Sequence, residues 1–335
     1  MKRITIIGAV LVTIILLVPS LLVLLIQDKQ QLPAQTVLKE VNVHKGADEL
    51  IIPVFRTQSN KVEQIALEDY VVGVVASEMP ATFELEALKA QALTARTYII
   101  KQMLDPGEIS LPEDAIVTDS VMHQVFQSEE ELKEKWGKKY ERQIAPIKKA
   151  VFETSGQVLT FDGMPITAAF FSTSNGYTES SEDYWQNEIP YLRSVPSNWD
   201  TVSPRFNSQK TLSVNEFERL LKVKLPRDGR SIGEIVERTS GNRVAKVEIG
   251  GKKLTGREVR EKLELHSSDF SWERSGDSIM IKTRGWGHGV GMSQYGANGM
   301  AKEGKSYQEI VRYYYRGVDI SPTEPFISKM VVHNR

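Results

Sequence analysis

Residues 67–103 read LEDYVVGVVASEMPATFELEALKAQALTARTYIIKQM and contain the strongest helical signal in the chain. The first part, 67–77, has apolar side chains at helical spacing, and Pro80 ends it because proline interrupts a helix. The second part, 83–103, is rich in the helix formers Ala, Leu, Lys and Gln. The run Asp-Pro-Gly at 105–107 then stops it. The stretch therefore predicts two consecutive helices separated by a short break.

Glu78 shares a helical face with apolar side chains. Leu67, Val71 and Val74 recur at helical spacing, and Glu78 is the next position on the same stripe. A carboxyl group at the end of an apolar stripe loses part of its hydration, which raises its pKa. An acid that is still protonated near neutral pH can act as a general acid. The alternative is that the helix frays before Glu78 and leaves the carboxylate in water.

The segments that follow mix helices with short strands. A charged, periodic segment over 129–149 predicts a surface helix. Two short strands are predicted around Asp162-Gly163, because this dipeptide is typical of hairpin turns. Residues 208–272 contain two helical patterns and a strand pair with a Gly-Gly turn, and we interpret them as a possible small inserted subdomain. The mixture favours an α+β fold.

The C-terminal part predicts one more strand and one more helix. Residues 277–287, DSIMIKTRGWG, read as a strand that enters a glycine-rich stretch. The segment SYQEIVRYYYRG (306–317) predicts the last helix of the chain, with Ser306 and Glu309 in the pattern of a capping box. Gly317 is predicted to close this helix.

The N-terminus predicts a membrane anchor. An uncharged apolar run extends from Ile4 to Ile26, long enough to cross a hydrocarbon core of roughly 30 Å. Lys2 and Arg3 precede it and predict a cytoplasmic N-terminus. We therefore predict a single-pass anchor over 1–28, a tether with the first strand over 29–60, and an extracytoplasmic domain over 61–335. A cleaved signal peptide is the alternative.

Composition excludes several classes of site. The 335 residues carry a formal net charge of −1, so no global field favours nucleic acid. The chain has no cysteine, which excludes disulfides, thiol nucleophiles and cysteine-based zinc sites. Four of the five histidines, His44, His123, His266 and His333, are scattered and give poor support for a metal site. We predict neither a metal ion nor a cofactor.

The stretch RGWGHGVGMSQYGANGMAKEG (284–304) resembles a phosphate-binding loop only superficially. Its glycines fit neither the dinucleotide fingerprint nor the Walker A pattern, which also needs a lysine that is missing here. Glycine at alternate positions of a strand-like segment instead leaves one face without side chains, and Trp286, His288 and Val290 project from the other. Either a neighbouring segment packs on the bare face, or Trp286 and His288 line a carbohydrate groove.

Three blocks together resemble a known family. They are ASEMPATFELEALKAQALTARTY (76–98), FFSTSNGYTES (170–180) and the glycine-rich stretch continued through Val318. In this order they are similar to stage II sporulation protein D, and the resemblance covers nearly the whole chain. It implies a membrane-anchored lytic transglycosylase that cleaves peptidoglycan glycan strands, stripped of stem peptides by a partner amidase, during forespore engulfment. Some family members bind zinc through a His/Cys set, which a chain without cysteine does not carry over.

The resemblance also implies a site. Matched to the family, Glu78 is the catalytic acid, which agrees with the apolar-stripe argument. It would protonate the oxygen between N-acetylmuramic acid and N-acetylglucosamine and leave a 1,6-anhydro end. The predicted substrate-binding residues are Ser172, Ser174, Asn175, Tyr177, Trp286, His288, Gln294 and Tyr295.

The resemblance places the protein in the cell membrane at the sporulation septum, with a wall amidase and membrane proteins of the engulfment complex as partners. The net charge of −1 predicts no nucleic-acid partner. A non-catalytic activator of a wall amidase, and a purely structural member of a membrane complex, are the alternatives.

Overall fold

The computed structural model describes residues 50–106, 111–112, 115–185 and 187–333. The helices are α1 (Leu67–Glu78), α2 (Leu85–Leu104), α3 (Glu129–Trp136), α4 (Tyr140–Glu153), α5 (Ser181–Trp185), α6 (Val214–Leu221), α7 (Gly256–Lys262), α8 (Gln294–Lys302), α9 (Tyr307–Tyr314) and α10 (Glu324–His333). The strands are β1 (Ile51–Arg56), β2 (Lys61–Ala66), β3 (Val117–Thr118), β4 (Gln157–Phe161), β5 (Met164–Pro165), β6 (Phe170–Phe171), β7 (Asn207–Ser213), β8 (Glu234–Arg238), β9 (Val244–Ile249), β10 (Lys252–Thr255), β11 (Phe270–Ser275), β12 (Ser278–Arg284), β13 (Met292–Ser293) and β14 (Asp319–Pro322).

The predicted α+β class is confirmed at this level: helices alternate with small, mostly antiparallel sheets. The predicted anchor over Ile4–Ile26 lies outside the described residues. No helix within the described ranges is long and apolar enough to span a bilayer.

Helix α2 forms the centre of the main core. Its twenty residues are buried on nearly every face, which is the pattern of a helix surrounded by other elements. Arg96 is fully buried on it, and its guanidinium pairs with Glu68 of α1 at 2.6 Å and donates to the Thr154 carbonyl at 2.9 Å. This arginine therefore ties α1, α2 and the end of α4 together. The two predicted helices are confirmed, although α2 begins at Leu85.

The predicted surface helix over 129–149 is wrong in two respects. The segment splits into α3 and α4, because Gly137 adopts a left-handed conformation (φ 50°) and ends the first helix. Helix α4 is also only half exposed, since Ile144, Ile147 and Val151 on one face are buried in the main core. The many charges of the segment hid that apolar stripe in the sequence.

Small sheets flank the main core. Strands β2, β1 and β3 form one sheet, β14, β4 and β5 a second, and β13 pairs with β6 in parallel. The predicted hairpin at Asp162-Gly163 is confirmed, because both residues have positive φ (48° and 73°) between β4 and β5. The short β6–β13 pair brings the FFSTSNG segment beside the glycine-rich segment.

A second hydrophobic core lies between Leu212 and Ile281 in sequence. It contains the sheets β11-β12-β7 and β10-β9-β8 together with α6 and α7, around buried Phe217 and Phe270. The predicted strand pair with its turn at Gly250-Gly251 is confirmed. The assignment of 208–272 as a separate subdomain stays a prediction.

The capping box of α9 is confirmed, with Ser306 accepting from the Glu309 amide. Two details of this prediction are wrong. The helix ends at Tyr314, because Tyr315 already has an extended backbone, so Gly317 lies in the turn that follows. Helix α10 comes after it, so α9 is not the last helix.

Candidate active site

Glu78 is the last residue of α1, and its carboxyl group is half-buried. The helix does not fray before it, because Met79 is the residue that leaves helical geometry. The amide of Val125 donates to Glu78 Oε1 at 3.1 Å. Burial raises the pKa of Glu78, and this hydrogen bond offsets only part of the rise. The negative end of the α1 dipole also disfavours a carboxylate at this position, and the last turn holds no basic residue.

Glu78 lines a cleft of about 1130 Å³. Small-molecule sites typically enclose roughly 300–1,000 Å³, so this cleft has room for an extended ligand. The lining comes from segments distributed between residues 76 and 295: residues 76–81, Phe83, Tyr98, 121–125, 135–136, Gln143, 167–172, 184–185, 204–205, Arg257, Arg260, 286–288 and 294–295. Among these residues Glu78 is the one with a carboxyl side chain.

The glycine-rich segment does not form the predicted strand. Gly285, Gly287, Gly289 and Gly291 all have positive φ, between 80° and 120°, which side-chain-bearing residues rarely adopt. The faces without side chains are filled by the protein itself: a Cβ on Gly291 would lie 2.1 Å from the Ala169 carbonyl oxygen. Both interpretations of the segment apply: its glycines pack against 169–175 and, at Gly289, against Arg243, while Trp286 and His288 line a cleft.

His288 projects from this segment into the cleft. Its ring lies 5.6–5.7 Å from those of Phe171, Tyr184 and Trp185. Burial, with a smaller effect of nearby Arg260, lowers the pKa of His288 to about 4, so the imidazole is neutral at pH 7. Since its Nδ1 accepts from the Val290 amide at 3.1 Å, the neutral ring carries its proton on Nε2. At neutral pH His288 is therefore an uncharged donor, and a hydrogen bond to the Phe170 backbone opposes only part of the lowering of its pKa.

Trp286 lies near His288 in the lining, but other side chains of the protein already contact its ring. The His266 ring stacks on it with centroids 3.4 Å apart, and the Arg205 guanidinium lies 4.9 Å from its centre. Its amide and carbonyl groups bridge to Thr173. Trp286 therefore holds the FFSTSNG segment in place and contributes part of its indole to the cleft.

The structure brings six of the nine predicted site residues to this cleft, namely Glu78, Ser172, Trp286, His288, Gln294 and Tyr295. Ser174, Asn175 and Tyr177 lie elsewhere. Ser174 is fully buried and donates to Asp200 at 2.9 Å, and Asn175 donates to Asp269 at 3.0 Å. Tyr177 is 45% exposed outside the lining. The STSNG block thus supports the glycine-rich segment with a buried polar network.

Several lining residues were missed by the sequence analysis. They include Tyr98, the pair Tyr184-Trp185, and the three arginines Arg205, Arg257 and Arg260. The adjacent aromatic pair was the one visible signal. Arg257 and Arg260 lie one turn apart on α7 and Arg205 lies about fifty residues earlier, and all three are far in sequence from Glu78, so no local pattern marks them as lining residues. Within the described ranges no group of three His, Cys, Asp or Glu side chains is placed to hold a metal ion.

The fold and the cleft define a class: an α+β protein with one partly desolvated carboxyl group in a cleft of aromatic and basic side chains. The family model described as Stage II sporulation protein matches residues 56–161, which include α1, Glu78 and α2. Stage II sporulation protein D of Bacillus subtilis (strain 168) is 50% identical over 98% of both chains, and that of Bacillus amyloliquefaciens is 47% identical over the same share.

The chain therefore belongs to the stage II sporulation protein D family, as the three sequence blocks predicted. It is also related to a protein named amidase enhancer from Bacillus subtilis (strain 168). The two are 30% identical over 304 residues, which cover 74% of this chain and 40% of that protein.

Proposed function

We propose that this chain is a lytic transglycosylase that cleaves the bond between N-acetylmuramic acid and N-acetylglucosamine in peptidoglycan glycan strands. The observation that carries the proposal is Glu78: a half-buried carboxyl group with a raised pKa, and the one carboxyl side chain in the described lining of the cleft. A glycoside hydrolase normally places two carboxyl groups across the scissile bond, because one of them must activate water or form a glycosyl intermediate. A lytic transglycosylase uses the sugar's own 6-hydroxyl as nucleophile and needs only one.

The proposed reaction has two proton transfers through Glu78. The protonated carboxyl group donates to the glycosidic oxygen as its bond to the anomeric carbon breaks, which releases the 4-hydroxyl of N-acetylglucosamine. The carboxylate then accepts the proton of the 6-hydroxyl, whose oxygen bonds to the anomeric carbon. The products are a 1,6-anhydro end and a regenerated acid. The Val125 amide stabilises the carboxylate between the two steps.

The cleft suits a sugar polymer. Aromatic side chains such as Tyr98, Tyr184, Trp185 and Tyr295 offer apolar surface to the C–H faces of pyranose rings, and polar tips to hydroxyl groups. Neutral His288 adds a further ring to this wall without adding charge. We propose that glycan strands free of stem peptides are the preferred substrate.

The family sets the cellular context of the proposal, because its members are named for sporulation. We propose that the chain is anchored in the cell membrane through Ile4–Ile26, with residues 61–335 outside and the cleft facing the wall of the sporulation septum. There it would take part in forespore engulfment together with a wall amidase and membrane proteins of the engulfment complex.

The test compares Glu78→Gln with a matched control, Glu84→Gln. Glu84 is exposed, lies six positions further on, and is not part of the cleft lining, so both variants lose one acidic group from the same segment. Each purified chain is incubated with stem-free glycan strands, and the products are identified by mass spectrometry. The proposal expects anhydro ends from the unsubstituted chain and from Glu84→Gln, and at least a hundredfold fewer from Glu78→Gln, the scale of a lost general acid. Equal rates in both variants would refute the role of Glu78.

A second candidate is a non-catalytic activator of a wall amidase. The observation in its favour is the relative named amidase enhancer. In that case the cleft would bind glycan and present it to the amidase without cleaving it. Absence of all glycan cleavage, combined with undiminished amidase stimulation by Glu78→Gln, would support this candidate over the first.

A further inference from the structure

The described lining of the cleft has an excess of positive charge. Glu78 is its one acidic side chain, whereas Lys135, Arg205, Arg257 and Arg260 are basic. A cleft lined mainly by one sign of charge focuses its field and attracts a ligand of the opposite sign. A general acid by itself does not require this excess, so the arginines need their own explanation.

Arg260 is the most unusual of these side chains. It is half-buried on α7, where Nε donates to the Leu265 carbonyl at 3.3 Å and Nη1 to the Tyr184 hydroxyl at 3.4 Å. Within the described residues it forms no ion pair, in contrast to Arg257 on the same helix, which pairs with Glu261 at 2.8 Å. Guanidinium groups removed from water are normally paired with an anion, because desolvation of an unpaired charge is costly.

A second positive charge near Arg260 makes its unpaired guanidinium group still less favourable. The charge of Arg260 and that of Arg243 both reach His288 and lower the imidazole pKa. Desolvation lowers the pKa of Arg260 itself, and the charge of Arg243 adds to the effect, whereas Tyr184 and Glu261 offset only part of it. Arg243 is paired with Glu179 at 3.0 Å and Arg257 with Glu261, so Arg205 and Arg260 are the arginines of this lining for which the described residues show no ion pair. An anionic group of a ligand would lower the free energy of this wall.

The proposed substrate offers one such group. The lactyl side chain of N-acetylmuramic acid ends in a carboxylate when no stem peptide is attached, and in a neutral amide when one is. A carboxylate can accept two parallel hydrogen bonds from a guanidinium, whereas an amide carbonyl has one oxygen and no net charge.

Resting on the proposed function, we propose that Arg260, flanked by Arg205 and Arg257, binds the free lactyl carboxylate of stem-peptide-free N-acetylmuramic acid. Arg260 is then a specificity-determining residue. It distinguishes naked strands from strands that still carry stem peptides, because only the naked strands present the carboxylate.

The experiment measures binding in the Glu78→Gln background of the full chain in detergent, so that strands are not consumed. One probe is a set of stem-free glycan oligosaccharides, and the second is the same set with the lactyl carboxyls converted to methylamides. We expect the first set to bind about tenfold more tightly, equivalent to ~1.4 kcal/mol. Adding Arg260→Gln should reduce this ratio to within about twofold. Adding Lys262→Gln, which removes the same charge from α7 outside the cleft lining, should leave it unchanged.

Equal binding of both probes to the Glu78→Gln chain would overturn the proposal. This comparison needs no arginine variant, so it stands even where Arg260→Gln folds poorly. Retention of the full ratio by a folded Arg260→Gln chain would overturn it as well. Strands with intact stem peptides serve as a third probe, since their carboxylates lie on the peptide, and binding as tight as that of naked strands would contradict the lactyl assignment.

The binding experiment and the cleavage experiment can succeed or fail independently of each other. A chain that forms no anhydro ends can still discriminate between the probes, and a transglycosylase that ignores the carboxylate still forms anhydro ends.

Discussion

Substitution of Arg243 by methionine should destabilise the protein strongly. Arg243 Nη1 pairs with Glu179 Oε1 at 3.0 Å, and the two side chains are only 3% and 2% exposed. Arg243 also donates to the Tyr177 carbonyl and packs under Gly289, so it joins the second core to the glycine-rich segment. Methionine fills a similar volume but leaves the Glu179 carboxylate buried, with Thr239 as its one remaining side-chain donor among the described residues. Removal of one partner from a buried pair costs about 3–5 kcal/mol.

The assay is urea denaturation, which gives the free energy of unfolding. The control is Lys246→Met on β9, which removes an exposed pair with Glu237 whose side chains are 65% and 51% exposed. Such exposed pairs contribute roughly 0–1 kcal/mol. Burial already raises the pKa of Glu179, with Arg243 opposing it, so the arginine variant should raise it further. When the pKa of a carboxyl group is raised in the folded state, the folded protein loses stability as pH increases through that pKa. The loss of unfolding free energy in Arg243→Met should therefore be larger at pH 8 than at pH 5.

If Arg243→Met and Lys246→Met lower the free energy of unfolding by amounts within about 1 kcal/mol of each other, this reasoning is refuted, because it depends on the large contribution of a buried ion-pair partner. A cost independent of pH would refute the part that concerns Glu179. The additional substitution Glu179→Gln should recover part of the lost stability, because it removes the unpaired charge.

Further predictions concern the cleft. Gly289→Ala should lower the free energy of unfolding by roughly 1–3 kcal/mol and reduce glycan cleavage, because its φ of 89° is strained for alanine and the new Cβ would lie 2.5 Å from Arg243 Cζ. The control is Gly276→Ala, at a positive φ with open space around it, which should lower stability less in thermal unfolding. Equal losses in the two variants would contradict the packing argument. Since burial raises the pKa of Glu78 and the acid must be protonated to donate, the rate of cleavage should decline as pH rises through this raised pKa. Because ionisation of the buried carboxyl group is unfavourable, Glu78→Gln should be at least as stable as the unsubstituted chain at pH 8. A variant less stable by more than about 1 kcal/mol would contradict the desolvation of Glu78.

Local patterns predicted much of the main core and the position of one candidate site residue, Glu78. The apolar stripe Leu67, Val71 and Val74 carried the argument to Glu78, and the structure places that carboxyl group at the end of the same face, half-buried in the cleft. Such a prediction succeeds because helical periodicity is a local property of the chain. The capping box at Ser306 succeeded for the same reason.

The rest of the cleft depends on contacts that no local pattern records. Glycines at alternate positions between 285 and 291 have the period of a strand, yet four positive φ angles give the segment a different path. Arg260 lies on a short helix whose sequence does not reveal that it lines the cleft or that its charge acts on His288. Ser174 and Asn175 were predicted as ligand contacts because they are polar, but polar side chains also satisfy one another inside a core, as these do with Asp200 and Asp269.

The origin of the oxygen at each new glycan end tests the central claim most directly. Stem-free strands are cleaved in water enriched in heavy oxygen, and the new ends are examined by mass spectrometry. If the 6-hydroxyl is the nucleophile and Glu78 its only acid and base, the new muramic acid ends are anhydro and carry no label. Labelled reducing ends would show that water attacks instead, which would contradict the single-carboxyl mechanism.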